Sequence, residues 1–538
     1  MPRLDSRVDP AGEDFARNRE EMLALLEEVR ALERRIRANS ERARAKFDKR
    51  GQMLPHDRVA ALIDRGSDFL ELCPFAGTAM HDDDGGENAA GGGIIAGIGR
   101  VAGRRVLVSA SNSAIKGGAV SPMGMKKSLR LQQIALENKL PIVTLAESAG
   151  ANLTYQSEMF VEGGRTFANE ARLSAAGIPH ICVVHGSSTA GGAYLPGLSD
   201  HVVVVRGRAK IFLAGPPLLK AATGEVATDE ELGGADLHAS IAGTAEYVAE
   251  DDADAIRIAR EIVAKTGWEA LDPAPPQPPR PPLHDPDQLA GAVPVDYRKP
   301  YDVRELLARI LDESDFLDFK PDYGAATVCG WGAVEGWPCG FVGNNGPIDP
   351  AGSVKAAQFI QLCNQTGTPI CFLQNTTGYM VGTEAERGGI VKHGSKMIQA
   401  VANSAVPHVT FLVGGSFGAG NYGMCGRSFD PRFVFAWPNA RTSVMGPEQA
   451  AGVMAILMAE KAKRTGQDMP EEALAIVRGQ IVERMEPETR ALFGSARLWD
   501  DGIIDPRDTR RILAMCLAMA REAELRRLRP NSFGVARG

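Results

Sequence analysis

Two glycine-rich turns carry the chemistry that this sequence offers: Ser188-Thr189-Ala190-Gly191-Gly192-Ala193 and Ser416-Phe417-Gly418-Ala419-Gly420-Asn421. Each follows an apolar run that reads as a strand. Without side chains in the way, backbone N–H groups in such a turn face a ligand oxygen, and a helix starting there adds the positive end of its dipole. Two such turns are two candidate oxyanion holes, suited to a reaction in which negative charge develops at two places. Donors fixed in advance stabilise such charge by about 3 or 4 kcal/mol each. The same glycines also permit close packing of helix on strand. The recurrence of the pair favours the donor reading, with the amides of Gly191, Gly192, Ala419 and Gly420 as candidate catalytic groups and Gly418 beside them.

Other machines find no support. A GxSxG elbow, a Walker A loop and an HExxH pair are absent, and the eight cysteines stand singly, without CxxC spacing. Gly97-Ile98-Gly99 with Gly103 has the wrong spacing for a dinucleotide fingerprint and reads as a turn between strands. Glu147, Glu384 and Glu386 are bases by composition alone, and structural or capping roles are favoured for them.

The turns belong to a larger repetition. Lys127, Pro141, Gly150, Pro179, His180, Gly186 and Ala190 recur 228 residues later as Lys355, Pro369, Gly378, Pro407, His408, Gly414 and Gly418. Upstream the offset becomes 233, since Val101, Gly103 and Asn112 answer Val334, Gly336 and Asn345, so five extra residues lie in the first copy around 115–121. A period of this size is a whole domain, because solenoid repeats run to only about 50 residues. Between the copies, 272–287 holds eight prolines and reads as a semi-rigid spacer. The expected organisation is an N-terminal domain over 1–271, a linker over 272–292 and a C-terminal domain over 293–538.

Each half alternates strands with helices, the pattern of α/β layering. Strands are expected at 106–110, 142–146, 181–185 and 202–205, then at 341–343, 370–374, 409–413 and 433–436; helices at 125–138 and 163–176, with a charged amphipathic helix over 18–46. At 538 residues and 44% hydrophobic, the chain has enough apolar side chains for two cores. A net charge of -7 and the lack of a basic run interleaved with aromatics argue against nucleic acid. The longest apolar run, 450–459, is too short to span a bilayer, and the polar N-terminus has no signal-peptide core. A soluble cytoplasmic protein is expected, with no membrane partner.

The segments 212–225, Gly233-Gly234-Ala235-Asp236, 414–424 and Trp437-Pro438-Asn439-Ala440 resemble the carboxyltransferase β subunit of biotin-dependent acyl-CoA carboxylases, over nearly the whole chain. The second-half motifs are most similar to the 3-methylcrotonyl-CoA and geranyl-CoA carboxylase branch. The resemblance implies two tandem crotonase-like ββα-spiral domains, one taking the acyl-CoA and the other carboxybiotin, with the active site shared between dimer partners. It places the thioester enolate oxygen on the Gly191 and Gly192 amides, and the biotin ureido oxygen on those of Ala419 and Gly420. It also implies that biotin itself is the base, so that no protein nucleophile is needed. Asn112, Lys116, Gly117 and Gly118, with Ala149 and Gly150, match segments lining the CoA site; Lys116 meets a phosphate or remains a solvated surface lysine. Their repeat partners Thr377 and Gly378 fall on the biotin side.

Two departures bear on the substrate. Where 3-methylcrotonyl members carry Asp-Ser-Gly-Gly and an aromatic before Gly-Arg, this chain has Glu147-Ser148-Ala149-Gly150 and Gly163-Gly164-Arg165. Gly163 leaves room for a longer branched acyl group, so carboxylation at the γ carbon of geranyl-CoA is favoured, with 3-methylcrotonyl-CoA as the alternative and propionyl-CoA third. One pocket position of this kind is worth about 1–3 kcal/mol. The first substrate would belong to acyclic terpenoid catabolism, the second to leucine catabolism. Neither an ATP-binding loop nor a biotinylation motif is evident. The resemblance therefore implies an α subunit supplying the biotin carboxylase, with its ATP, Mg and bicarbonate, and the biotin carrier. It also implies a β6 homo-oligomer within α6β6. Rival readings are a crotonase-type hydratase active alone, a decarboxylase subunit beside a membrane pump, and a noncatalytic scaffold.

Overall fold

The computed structural model describes residues 3–81, 90–466 and 469–537. It divides into two compact units. One comprises residues 31–273, 496–498 and those from Arg521 onward; the other comprises the described residues up to Arg30, with 274–495 and 499–520. The mid-chain change falls between Pro273 and Ala274, inside the proline-rich stretch, but each unit also takes in a terminal segment from the far end of the chain.

The unit built on 31–273 holds strands β1 (Leu70–Glu71), β2 (Ile94–Val101), β3 (Arg104–Ser111), β4 (Ile142–Ser148), β5 (His180–Thr189), β6 (His201–Val205), β7 (Lys210–Phe212) and β8 (Tyr247–Ala249). They form one sheet in the order β1-β2-β3-β4-β5-β6-β8, with β7 on the far half of β5. β1, β2 and β3 pair antiparallel; every pairing from β3 onward is parallel. Parallel strands need crossovers, here the helices Pro122–Glu137 and Phe160–Ala176, each moving the chain one strand along the sheet. Both faces are covered, so the strands read as continuous apolar runs. Val143, Val183 and Val203 pack on one side with Ile256 and Ala259, while Ala146, Cys182, Val184 and Val204 pack on the other with Ala193 and Ala245.

The second unit repeats this plan with β9 (Leu317–Asp318), β10 (Thr327–Val334), β11 (Trp337–Asn344), β12 (Ile370–Thr376), β13 (His408–Phe417), β14 (Phe433–Ala436) and β15 (Arg441–Ser443). The order is β14-β13-β12-β11-β10-β9, with β15 on β13. The register repeats as well. Ile142 pairs with His180 and Ile370 with His408, and a shift of register lies between Ala146 and Ser148 and again between Gln374 and Thr376. Helix caps recur too: Ser121 Oγ accepts from Gly124 N, and Asp349 Oδ1 from Gly352 N, each ahead of a proline at the first helical turn. The tandem α/β duplication of crotonase-like domains is thus present in three dimensions.

One expected element is broken. The helix foreseen over 18–46 ends at Glu41 and restarts as Arg44–Lys49. At that point Ser40 is buried and exchanges hydrogen bonds with the Asn112 amide at 2.9 and 3.1 Å, a tertiary tie that hydrophobic periodicity does not contain. The eight cysteines are all buried free thiols.

The repeated lysines have diverged. Lys127 is 1% exposed and donates to the carbonyls of Cys73, Gly91 and Ile94 at 3.0, 3.3 and 2.7 Å. Lys355 is equally buried, yet its ammonium has no hydrogen-bond partner among the described residues. Burial lowers the pKa of both. Lys127→Met, which removes three hydrogen bonds from a buried ammonium to backbone carbonyls, is expected to cost about 3 kcal/mol, at roughly 1 kcal/mol per bond. Lys355→Met is expected to be neutral or stabilising, since it removes a buried unpaired charge. Urea unfolding of the two variants measures the contrast.

Candidate active site

β5 is ten residues long because it serves two neighbours: it pairs with β6 through Val184 and with β7 from Ser187. Its far end carries the first glycine turn. Thr189 is extended, Ala190 turns left-handed at φ 53°, and a short helical turn, Ala190–Ala193, begins. β13 does the same: Phe417 is extended, Gly418 sits at φ 53°, and the helix Gly418–Gly423 follows. A left-handed residue at the same place in both copies aims the next two amides off the strand end. Those amides belong to Gly191 and Gly192 in one unit, and to Ala419 and Gly420 in the other. Gly191 and Ala419 are exposed, Gly192 is half-buried and Gly420 buried.

The room at these turns differs. A Cβ on Gly191 would lie 3.7 Å from Phe167, and one on Gly192 3.8 Å from Ser188 Oγ, both ordinary contacts. A Cβ on Gly420 would come within 2.7 Å of Gly378 Cα, which no side chain tolerates. The first turn is fastened from behind by Ser188 Oγ, which donates to Gly192 O at 2.8 Å, and the second by Asn421 Nδ2, donating to Ser416 Oγ at 2.7 Å.

A second turn abuts each glycine turn. Gly150, at φ 91°, donates its N–H to Ser148 Oγ at 3.1 Å, and its carbonyl accepts from Val120 N at 3.0 Å. Gly378, at φ 121°, does likewise with Thr376 Oγ1 at 3.2 Å and Ile348 N at 3.0 Å. A Cβ on Gly150 would sit 3.5 Å from Thr189 O, and one on Gly378 3.6 Å from Phe417 O, so in each unit the turn lies against the end of the long strand. Ala149 and Thr377 are exposed beside them. Each unit therefore brings its own predicted residues together.

The loop 112–118 belongs to the first unit. Lys116 and Gly117 are exposed with φ 46° and 62°, and Gly118 is buried because a side chain there would collide with the Glu147 carbonyl. Asn112 is also buried, its amide given to Ser40, so it braces the loop from beneath. Of the composition-level bases, Glu384 and Glu386 are exposed on the helix Thr383–Arg387, with Glu384 paired to Arg387.

Sequence reading missed what lies under the first turn. Arg58 (1% exposed) donates from Nη1 to Glu147 Oε2 at 2.6 Å and from Nε to Asp252 Oδ2 at 3.1 Å. Asp252 also meets His185 Nδ1 at 2.9 Å and accepts from Met53 N at 2.7 Å. Burial alone would raise the Asp252 carboxyl; the His185 hydrogen bond, with Arg58 and the Met53 N–H, outweighs it and holds the carboxyl at about 2. Burial in turn lowers His185. These residues are scattered from Met53 to Asp252 with no motif spacing. The only signal was the acidic run Glu250-Asp251-Asp252 at the start of a helix whose N-cap is Asp251, a pattern that many helix starts share. Among the described residues no cluster of His, Cys, Asp and Glu could hold a metal ion, and no helix is long and apolar enough to cross a membrane.

Comparison with known proteins gives this geometry its class. The model of the carboxyl transferase domain family matches residues 46–534. The chain is 45% identical over 497 residues to the biotin-dependent 3-methylcrotonyl-coenzyme A carboxylase beta1 subunit of Mycobacterium tuberculosis, covering 91% of this chain and 92% of that one. It is 48% identical over 473 residues to the mitochondrial methylcrotonoyl-CoA carboxylase beta chain of Dictyostelium discoideum, covering 87% and 80%. Its structure is similar to that of the geranyl-CoA carboxylase beta subunit of P. aeruginosa, with a TM-score of 0.94, 59% identity and full coverage of both chains. The chain belongs to the carboxyl transferase family, as the carboxyltransferase β subunit of a biotin-dependent acyl-CoA carboxylase. Such a subunit moves a carboxyl group from carboxybiotin, carried by a partner subunit, to an acyl-CoA.

The buried network makes a stability prediction. Because the Asp252 pKa is depressed in the folded state, its contribution is present above pH 4 and lost as pH falls towards 2. Asp252→Asn is expected to lower stability by about 2 kcal/mol at neutral pH. In thermal melts from pH 7 to pH 2, the gap between wild type and variant should close as the carboxyl protonates.

Proposed function

We propose that the chain carboxylates a long branched enoyl-CoA at its γ carbon, with geranyl-CoA as the preferred substrate. The observation that carries this reading is the space at Gly163. This residue lies on the helix Phe160–Ala176, where an added Cβ would find only Met125 Cε, at 3.6 Å; Gly164 beside it faces nothing within 4 Å. One turn further on, Phe167 stands 5.7 Å from the Tyr194 ring and against Gly191. Met125, Gly163, Phe167 and Tyr194 thus form an apolar path beside the first glycine turn, open where an aromatic residue would close it. The 59% identity to a geranyl-CoA carboxylase beta subunit supports the same choice.

In this reading the Gly191 and Gly192 amides hold the thioester oxygen. Removing the γ proton of a β-methyl enoyl thioester gives a dienolate whose charge rests on that same oxygen, so one hole serves carboxylation at either carbon. The Ala419 and Gly420 amides take the ureido oxygen of biotin, in a turn held tight because Gly378 fills the space that a side chain on Gly420 would need. Carboxybiotin supplies the CO2 and the base when bound. The residues of this chain orient the two ligands and present amides to the two developing anions, and none needs to carry the proton. Asn112, Lys116, Gly117, Gly118, Ala149 and Gly150 line the CoA side, and Thr377, Gly378 and Gly418 the biotin side. A biotin-carrying α subunit completes the enzyme, with β subunits oligomerised as in an α6β6 assembly and each site shared between dimer partners.

The alternative, 3-methylcrotonyl-CoA, is favoured by the names of the relatives from M. tuberculosis and D. discoideum. ATP- and bicarbonate-dependent carboxylation by the chain co-expressed with its biotinylated partner separates the two: geranyl-CoA should give the higher kcat/KM, and activity confined to 3-methylcrotonyl-CoA would reject the preference. Gly163→Phe should lower kcat/KM for geranyl-CoA by about 10- to 200-fold while sparing the shorter substrate. Gly420→Ala should lower kcat by about 100-fold or more with every acyl-CoA, because the collision of its Cβ with Gly378 moves the amide out of the position it holds.

A further inference from the structure

From β2 to the first glycine turn and from β10 to the second, the two units share one register except at a single place. Asn112 and Asn345 donate their N–H groups to Gly93 and Ala326, and Val120 and Ile348 donate theirs to Gly150 and Gly378. Between these equivalent anchors the first unit inserts the loop 113–119, where the second has only Gly346 and Pro347. The insertion is what the first unit possesses and the second lacks.

It is fastened at three points. Ala149 N donates to Gly117 O at 3.0 Å, Ser148 Oγ to Gly118 O at 2.7 Å, and Ser113 Oγ to Glu147 Oε2 at 2.8 Å. The third point leads into the buried network. Glu147 receives Arg58 at 2.6 Å and Gln52 Nε2 at 3.3 Å, and it lies over Gly186, whose missing side chain leaves the carboxylate its space. Arg58 is anchored in turn to Asp252. At the equivalent of Glu147 the second unit has Asn375, whose Oδ1 accepts from Gly415 N at 3.1 Å. That side chain is engaged with the neighbouring strand β13 and holds no loop.

We infer that Glu147, held by Arg58, is a positioning residue that latches the inserted loop beside the first glycine turn, and that this latch makes the first unit the acyl-CoA half. The inference rests on the acyl-CoA reading of that unit. Glu147 touches neither the glycine amides nor, in that reading, the reacting atoms, so it acts through Ser113. A loop released from a charge-assisted hydrogen bond must be ordered again each time ligand binds, which weakens binding and leaves the chemical step alone.

The test uses the co-expressed holoenzyme with Ser113→Ala and, separately, Glu147→Gln. Ser113→Ala should raise KM for the acyl-CoA by about tenfold, the worth of one hydrogen bond to a charged group, with kcat within about twofold. KM for ATP and bicarbonate should not move, and the thermal midpoint should fall by less than in Glu147→Gln. Glu147→Gln should raise the acyl-CoA KM at least as far and also lower the midpoint, because Arg58 loses one of its two buried carboxylates. An unchanged acyl-CoA KM in Ser113→Ala overturns the latch, as does a fall in kcat and midpoint with no selective change in KM. Wild-type holoenzyme that turns over no acyl-CoA would instead overturn the reading on which the inference rests.

Discussion

The structure depends on one backbone constraint: a residue held left-handed where a long parallel strand gives way to a helical turn. At Ala190 and at Gly418 the chain takes φ 53°, and this sends the next two amides off the strand end. An L side chain pays for that conformation, so the surroundings must over-determine it. They do so from behind, with Ser188 fixing Gly192 and Ser416 taking Asn421, and from below, where Gly150 and Gly378 pack on the strand-end carbonyls. The length of β5 and β13 follows from the same need, because the strand must outrun β6 or β14 to reach β7 or β15 before turning.

Duplication made two such ends, and divergence made them different. In the first unit a buried ion network of Arg58, Glu147, Asp252 and His185 lies beneath the turn, and a loop is built on top of it. In the second, neutral groups occupy the same places: Asn375 stands where Glu147 does, and Val413 where His185 does. Removing one partner of a buried charge leaves the other uncompensated, so the first unit gains its anchorage from a network that is sensitive to the loss of Arg58, Glu147 or Asp252. The second turn is instead crowded by backbone, with Gly420 pressed on Gly378.

Much of this was legible in the residues. The strands at 142–146 and 181–185 and their counterparts in the second half fall within β4, β5, β12 and β13, because buried parallel strands read as apolar runs and the duplication doubles the evidence. The glycine turns were legible because a glycine-rich pattern after an apolar run recurs at the fixed offset of 228 residues. The break after Glu41 was not, since hydrophobic periodicity carries no trace of tertiary ties such as that of Ser40 to Asn112, 72 residues away. β7 and β15, three residues each, carry no periodicity of their own. The network under the first turn was invisible for a related reason: Arg58, Glu147 and Asp252 lie far apart in sequence with no motif spacing, and only the fold brings them together.

The central claim is that the two glycine turns hold two different ligands. It is tested most directly by a cryo-EM structure of the holoenzyme with geranyl-CoA and free biotin bound. The account predicts the thioester oxygen on the Gly191 and Gly192 amides, with CoA along 112–118, and the ureido oxygen on those of Ala419 and Gly420. Both ligands at one turn, or the ligands exchanged between the turns, would contradict it.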